Sequence, residues 1–177
     1  MKLIILDRDG VINHDSPDYV KNPQEWVALP GSLDAIARLS HAGWRVVIAT
    51  NQSGIARGLF DMQTLNAIHA KLRRELAELG GVIDTIFVCP HGPQDDCPCR
   101  KPRPGLFHDI ARRYEVPLHE VPAVGDSLRD LRAASLAGCS PMLVRTGNGA
   151  HTLQQGGLPA GTPVYDDLAA VVNTLLA

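Results

Sequence analysis

Apolar residues follow two rhythms along this chain. Short, dense runs at residues 3–6, 44–49, 83–89, 121–124 and 142–144 are rich in Ile and Val, the pattern of strands buried on both faces of a sheet. Between them, apolar residues recur every three or four positions. Leu33, Ile36, Ala37 and Leu39 mark one helix, with Ser32 as its N-cap and Gly43 at its end. Leu65, Ile68, Leu72, Leu76 and Leu79 mark a longer one, capped by Asp61 and closed by Gly80-Gly81. Residues 105–114 and 128–137 supply two more, and Asp166 caps a last helix to Leu176. Val164-Tyr165 reads as a short edge strand. Residues 11–31 read as irregular because of Pro17, Pro23 and Pro30, and residues 146–162 as a Gly-rich loop.

Strands alternating with helices mean βαβ units. The expected fold is α/β: a three-layer, doubly wound, mostly parallel sheet with helices on both faces. No internal repeat, low-complexity stretch or linker divides the chain, so residues 1–177 read as one domain. None of the connections is long enough to hold a large cap domain. At about twenty residues, the segment 11–31 is long for a compact domain, and such loops tend to be functional.

Charge and hydropathy narrow the partners. A net charge of −2 argues against a general nucleic-acid binder. No run approaches the roughly 18 apolar residues of a membrane span. The N-terminus is one lysine and a short apolar run broken by two aspartates, which is not a secretory signal. A cytoplasmic protein is expected, and few apolar runs are left to build a subunit interface, so a monomer is expected too.

The chemistry sits where the strands end. The first run leads into Asp7, with Gly10 three residues on, and residues two apart on an extended segment point the same way, so Asp7 and Asp9 can face one site. On its own this stretch reads equally as a strand followed by a polar turn. The second run ends in Thr50-Asn51-Gln52-Ser53-Gly54, the fourth in Gly125-Asp126-Ser127, and the loop after the third carries Lys101. A parallel sheet puts these ends along one edge, where ligands bind. Three carboxylates there repel one another unless a cation intervenes, and Mg²⁺ suits carboxylates, water and phosphate. Lys101 suits a phosphoryl oxygen. The set fits phosphoryl transfer: Asp7 attacks phosphorus as an ionised carboxylate, and Asp9 gives a proton to the leaving oxygen and later takes one from water. To give that proton, Asp9 needs a raised pKa in the substrate complex. Thr50 adds a hydroxyl.

DRDG, TNQSG, the lysine of RKP and GDSLRD, in this order over residues 7–130, resemble the motifs of the haloacid dehalogenase superfamily of phosphatases. The resemblance implies Mg²⁺ held by Asp7, by the backbone carbonyl of Asp9 and by Asp126. Asp130 then stands near these ligands or is a solvated charge on its helix.

A second constellation is Cys89-x-His91-x5-Cys97-x-Cys99. Three thiols and an imidazole suit a closed, structural, tetrahedral Zn²⁺ site; the other reading is reactive or disulfide-bonded cysteines. A zinc loop at residues 89–99 would fix the cation that follows it. This loop narrows the resemblance to the heptose-bisphosphate and histidinol-phosphate phosphatases. That implies removal of the 7-phosphate of a sugar bisphosphate in activated-heptose synthesis, with histidinol phosphate as the alternative substrate and a non-catalytic zinc-stabilised phosphate-binding module as a reading of another class. It also implies that Asn13, Asp15, Asp18 and Tyr19 contact the sugar, and that Thr50, Asn51, Gln52 and Ser53 hold the phosphate and its neighbours. Arg57 and Arg100 could pair with a second phosphate by bidentate contacts; the other reading of each is a surface charge.

Overall fold

The structure, a computed structural model, describes residues 1–177. Six parallel strands form one sheet: β1 (Leu3–Leu6), β2 (Arg45–Asn51), β3 (Thr85–Cys89), β4 (Pro122–Gly125), β5 (Ser140–Val144) and β6 (Val164–Tyr165). Their order is β3-β2-β1-β4-β5-β6. The order reverses at β1, so the crevice of a doubly wound sheet opens at its end. The helices are α1 (Ser32–His41), α2 (Met62–Glu78), α3 (Gly105–Tyr114), α4 (Leu128–Leu136), α5 (Gly149–Gln155) and α6 (Leu168–Leu175).

Both faces of the central strands are buried, as the dense apolar runs required. Ile4, Leu6, Val46 and Ile48 pack with the inward residues of α1, α2 and α6. Leu3, Ile5, Val47 and Ala49, one position out of phase, pack with Leu106, Phe107 and Ile110 of α3 and with Ala133 and Ala134 of α4. Alternation along each strand thus feeds two helical layers at once.

Residues 11–31 have a core of their own. Val11, Ile12, Val20 and Trp26 are buried, and an isolated bridge joins Asn13 to Ala28. Lys71 on α2 donates to the carbonyls of Pro23 (2.9 Å) and Trp26 (2.7 Å). The prolines place a short 3-10 turn at Pro23–Glu25 rather than leaving a free excursion.

Three local readings are corrected. Gly31, at φ +77°, holds the N-cap position of α1; Ser32 lies inside the helix, its hydroxyl within reach of the carbonyls of Ile12 (2.6 Å) and Leu29 (2.9 Å). Asp167, not Asp166, caps α6 through the Ala170 amide at 2.8 Å, because Asp166 pairs with Arg145. The Gly-rich segment 146–162 contains α5. Gly149 opens that helix because a Cβ there would lie 1.6 Å from the Val144 carbonyl oxygen. Asp61 caps α2 as expected, accepting from Thr64 at 2.8 Å.

Candidate active site

A cavity of about 290 Å³ opens at the carboxyl ends of β1, β2 and β4, and only two of its fifteen lining residues are hydrophobic. Such a surface suits a charged, hydrated ligand. Its floor is built around Lys101. The ammonium lies 2.9 Å from Asp7 Oδ1 and 2.8 Å from Asp130 Oδ1, and it donates to the Ala49 carbonyl at 2.8 Å. Only 2% of Lys101 is exposed. The carboxylates around this buried lysine raise its pKa against the pull of desolvation, so it stays charged. Asn51 fixes the lysine's backbone from both sides, donating to the Lys101 carbonyl and accepting from its amide, each at 3.1 Å.

Asp130 is not a solvated charge. It is buried, and its second oxygen accepts from the amide (3.1 Å) and hydroxyl (2.7 Å) of Ser127. This capping box starts α4 and turns the remaining oxygen to Lys101. Asp126 is buried as well and accepts from the Asn148 amide at 2.8 Å. Gly10 makes room for it: at φ +83°, a Cβ there would lie 2.0 Å from Asp126 Oδ2.

Asp7, Asp126 and Asp130 bring carboxylate oxygens within 4.8 Å of one another. Burial and the charge of Asp130 push Asp7 up to about 7, and the same causes, with Asp7, push Asp126 up to about 9. Anions crowded this way fit a divalent cation, which would remove the repulsion. Asp9 is different. Burial raises its pKa, but the charge of Arg8 and hydrogen bonds from Asn13, Arg8 and Gln52 outweigh burial and hold it below the usual carboxylate value. The free protein thus keeps Asp9 ionised.

Cys89, His91, Cys97 and Cys99 also converge, with their ligand atoms within 4.8 Å of one another. Cys89 Sγ lies 3.8 Å from Cys97 Sγ and 3.1 Å from Cys99 Sγ, and His91 Nδ1 lies 3.3 Å from Cys99 Sγ. A tetrahedral ion with bonds of about 2.3 Å sets its sulfurs about 3.8 Å apart. All three thiols are free of disulfide. Burial and the neighbouring sulfurs push Cys99 up to about 12, so a bound cation is what would let the thiolates coexist.

Several expected contacts stand elsewhere. Asn13 is fully buried, with its amide donating to Asp9 Oδ1 (2.9 Å) and to the His14 carbonyl (3.0 Å); it orders Asp9 and stands outside the cavity lining. Thr50 is also fully buried and outside the cavity lining, its hydroxyl accepting from Gln52 at 2.9 Å. Asp18 is exposed and outside the lining. Asp15, Tyr19, Gln52, Ser53, Arg57 and Arg100 all line the cavity. Arg57 lies over the Tyr19 ring, 5.7 Å from its centroid, and Arg100 reaches the His91 carbonyl at 3.4 Å.

Four residues escaped the sequence reading. Arg129 adds an exposed cation to the rim; its place in the turn after GDS was the signal. Asn148 supplies the amide on Asp126 and donates from its side chain to Asp15 at 3.1 Å. Arg8, completely buried between the two aspartates, bonds Asp9 and touches His69. His69 sits one residue after Ile68 on the buried stripe of α2, so helical spacing alone marked it as inward.

Comparison with known proteins agrees with this geometry. A family model described as polynucleotide kinase 3 phosphatase matches residues 2–128, and one described as HAD-hydrolase-like matches residues 98–171. The chain is 70% identical over 176 residues to the D-glycero-beta-D-manno-heptose-1,7-bisphosphate 7-phosphatase of Bordetella bronchiseptica, covering 99% of this chain and 98% of the relative. It is 56% identical over 174 residues to the enzyme of the same name from Pseudomonas aeruginosa, covering 98% and 97%. The crystal structure of D,D-heptose 1,7-bisphosphate phosphatase from B. bronchiseptica, complexed with magnesium and phosphate, superimposes with a TM-score of 0.99 at 70% identity, covering 99% of this chain and 98% of that one. Family motifs, fold and near-full-length relatives agree: the chain belongs to the heptose-1,7-bisphosphate 7-phosphatases of the haloacid dehalogenase superfamily, which are phosphoric monoester hydrolases.

Proposed function

We propose that this chain removes the 7-phosphate of D-glycero-β-D-manno-heptose 1,7-bisphosphate, as a step toward activated heptose for surface polysaccharide. The observation that carries the reading is the buried group of Asp7, Lys101 and Asp130 with Asp9 beside it at the head of β1. The names of the near-full-length relatives support the sugar and the β anomer.

In the first half-reaction, a carboxylate oxygen of Asp7 bonds to phosphorus while the bond to the sugar oxygen breaks. Asp9 gives that oxygen its proton, so the sugar leaves as an alcohol rather than as an alkoxide. Asp9 is ionised in the free protein, but an arriving phosphate dianion is a like charge that raises its pKa in the complex. In the second half-reaction, Asp9 takes a proton from water as the water oxygen attacks phosphorus and the Asp7 carboxylate departs. Lys101 holds its charge against the equatorial oxygens throughout. Asp7, the Asp9 carbonyl and Asp126 would hold Mg²⁺, with Asp130 beside them; its chemistry there is to neutralise charge on the phosphoryl group.

Cys89, His91, Cys97 and Cys99 would hold Zn²⁺ in a structural role, leading straight into Arg100 and Lys101. Free thiols suit a reducing compartment, which supports the cytoplasm, and no helix is long and apolar enough to cross a membrane. Arg57, Arg100 and Arg129 around the mouth suit the second phosphate, and Asp15 and Tyr19 suit the sugar.

The test is phosphate release, with Mg²⁺ present, from both anomers of heptose 1,7-bisphosphate and from histidinol phosphate, with the released position read by phosphorus NMR. Preference for the β anomer with loss from carbon 7 is the expected result. Preference for histidinol phosphate would overturn the substrate, and no turnover by folded, zinc-loaded protein would leave a binding module.

A further inference from the structure

Arg8 and His69 are buried and take no part in the chemistry just described. Arg8 directs two nitrogens at one oxygen of Asp9: Nε at 3.1 Å and a terminal nitrogen at 2.8 Å, both to Oδ1. Asn13 adds a third donor to the same oxygen at 2.9 Å. Oδ2 accepts only from Gln52, at 3.0 Å. The two oxygens are therefore not equivalent. Oδ1 is saturated with donors, which favour its charged form, and Oδ2 is the one with room for a proton.

The other terminal nitrogen of Arg8 lies 3.1 Å from Nε2 of His69. A guanidinium has donors only, so Nε2 must present a lone pair and the ring proton must sit on Nδ1. Burial and the Arg8 charge keep the ring neutral, its pKa down to about 3. His69 comes from α2, sixty-one positions along the chain, and lies outside the cavity lining. It can reach the reaction only through Arg8.

We propose that His69 is a positioning residue for the acid/base. By accepting from Arg8 it locks the guanidinium fork onto Oδ1 of Asp9, which assigns Oδ2 as the oxygen that carries the proton. Without that acceptor the fork has a free end inside the protein and can rotate off Oδ1. Asp9 then loses its fixed orientation, while Asp7 and Lys101 are untouched.

The proposal rests on Asp9 being the acid, and the experiment separates the two. A sugar oxygen needs a proton to leave; the nitrophenolate of p-nitrophenyl phosphate does not. The ratio of kcat/KM for heptose bisphosphate to that for p-nitrophenyl phosphate reports the acid in the phosphorylation half-reaction. His69→Leu should lower this ratio about ten-fold, part of the roughly 10²–10⁴ that an acid supplies, with KM for the bisphosphate within about two-fold. His69→Gln restores an acceptor and should recover the ratio to within about three-fold. Equal falls on both substrates would reduce His69 to a structural role and overturn the proposal. Asp9→Asn is the control. If it shifts the ratio and His69→Leu does not, the positioning role fails; if it lowers both substrates equally, the acid assignment itself fails. Should His69→Leu not fold, the double variant Arg8→Met with His69→Leu leaves no buried cation behind and carries the same expectation.

Discussion

Lys101 and Arg57 bring positive charge into the same cavity, but the protein holds them in opposite ways. Lys101 is buried, paired with two carboxylates and a carbonyl, and gripped through its backbone by Asn51. Arg57 is exposed and leans on the face of Tyr19. The same contrast runs through the rest of the site. Asp126 and Asp130 sit in the floor, at the head of the sheet and the start of α4, whereas Arg129 is in the exposed rim. Phosphoryl transfer needs charges fixed before the substrate arrives, because reorganising them would add to the barrier. Sugar recognition tolerates looser groups that close on arrival. Changes in the floor should therefore act on the chemical step, and changes in the rim on affinity and selectivity.

The floor gives the largest effects. Asp7→Asn removes the proposed nucleophile and should lower phosphate release by roughly 10⁴-fold or more, while the zinc expected at the cysteine loop, measured by atomic absorption, should not change. Survival of activity would remove Asp7 from its role. Lys101→Met acts on stability as well. It leaves Asp7 and Asp130 buried without their cation, and breaking a buried pair this way costs about 3–5 kcal/mol. Urea unfolding should show that loss alongside an activity drop of roughly 10²–10³-fold. An unchanged midpoint would mean that the carboxylates find another partner.

The floor was also the part most legible in the sequence. Dense apolar runs ending in Asp7, Asn51 and Asp126 announced both the strands and the edge where they converge, since parallel topology leaves little freedom for strand ends. The four metal-type ligands at 89–99 announced themselves by spacing. What stayed hidden depends on which way a polar residue turns. Thr50 and Asn13 belong to the right segments, yet both face inward and serve neighbouring side chains. Arg8 stood in plain view between two aspartates, but a charged residue reads as exposed until its partners from distant elements are known. The short α5 was masked by glycines that open it and place Asn148 on Asp126.

Between floor and rim lies the cysteine loop, and removing the zinc proposed for it should give an intermediate effect. Asn51 binds the Lys101 backbone from one side, and the loop containing Cys97 and Cys99 leads into it from the other. Stripping zinc with a thiol-selective reagent and a chelator, then restoring Mg²⁺, should lower activity by roughly 10²-fold, the effect of displacing a catalytic group by about 1 Å. Zinc added back should restore it. Full activity in zinc-free protein would show that Asn51 and the partners of the Lys101 ammonium hold it in place without the metal.

Magnesium gives a smaller and pH-dependent signal. Asp7, raised to about 7, and Asp126, raised to about 9, hold more protons in the folded chain than in the unfolded one over neutral pH. Their contribution to the metal-free protein's stability therefore falls as pH rises from about 4 toward those values. The same protons compete with a bound cation. The rise in Tm on adding Mg²⁺ should be larger at pH 8.5 than at pH 6. A rise independent of pH would mean that the ion binds away from these carboxylates.

The rim gives the smallest effect. Arg129 is exposed, lines the cavity mouth and makes no ion pair within the protein, so its charge is free for the substrate's second phosphate. Its neighbour Asp130 is tied into the floor, so the two residues offer the contrast between floor and rim one peptide bond apart. Arg129→Ala removes a solvent-facing charge, which should leave the urea midpoint unchanged. It should raise KM for heptose 1,7-bisphosphate about ten-fold, as expected for one charge-assisted contact of about 1.5 kcal/mol, with kcat changed less than about two-fold. Heptose 7-phosphate lacks the phosphate that Arg129 would meet, and its KM should not move. A fall in kcat with both substrates would place Arg129 with the chemistry and erase the division between the two regions.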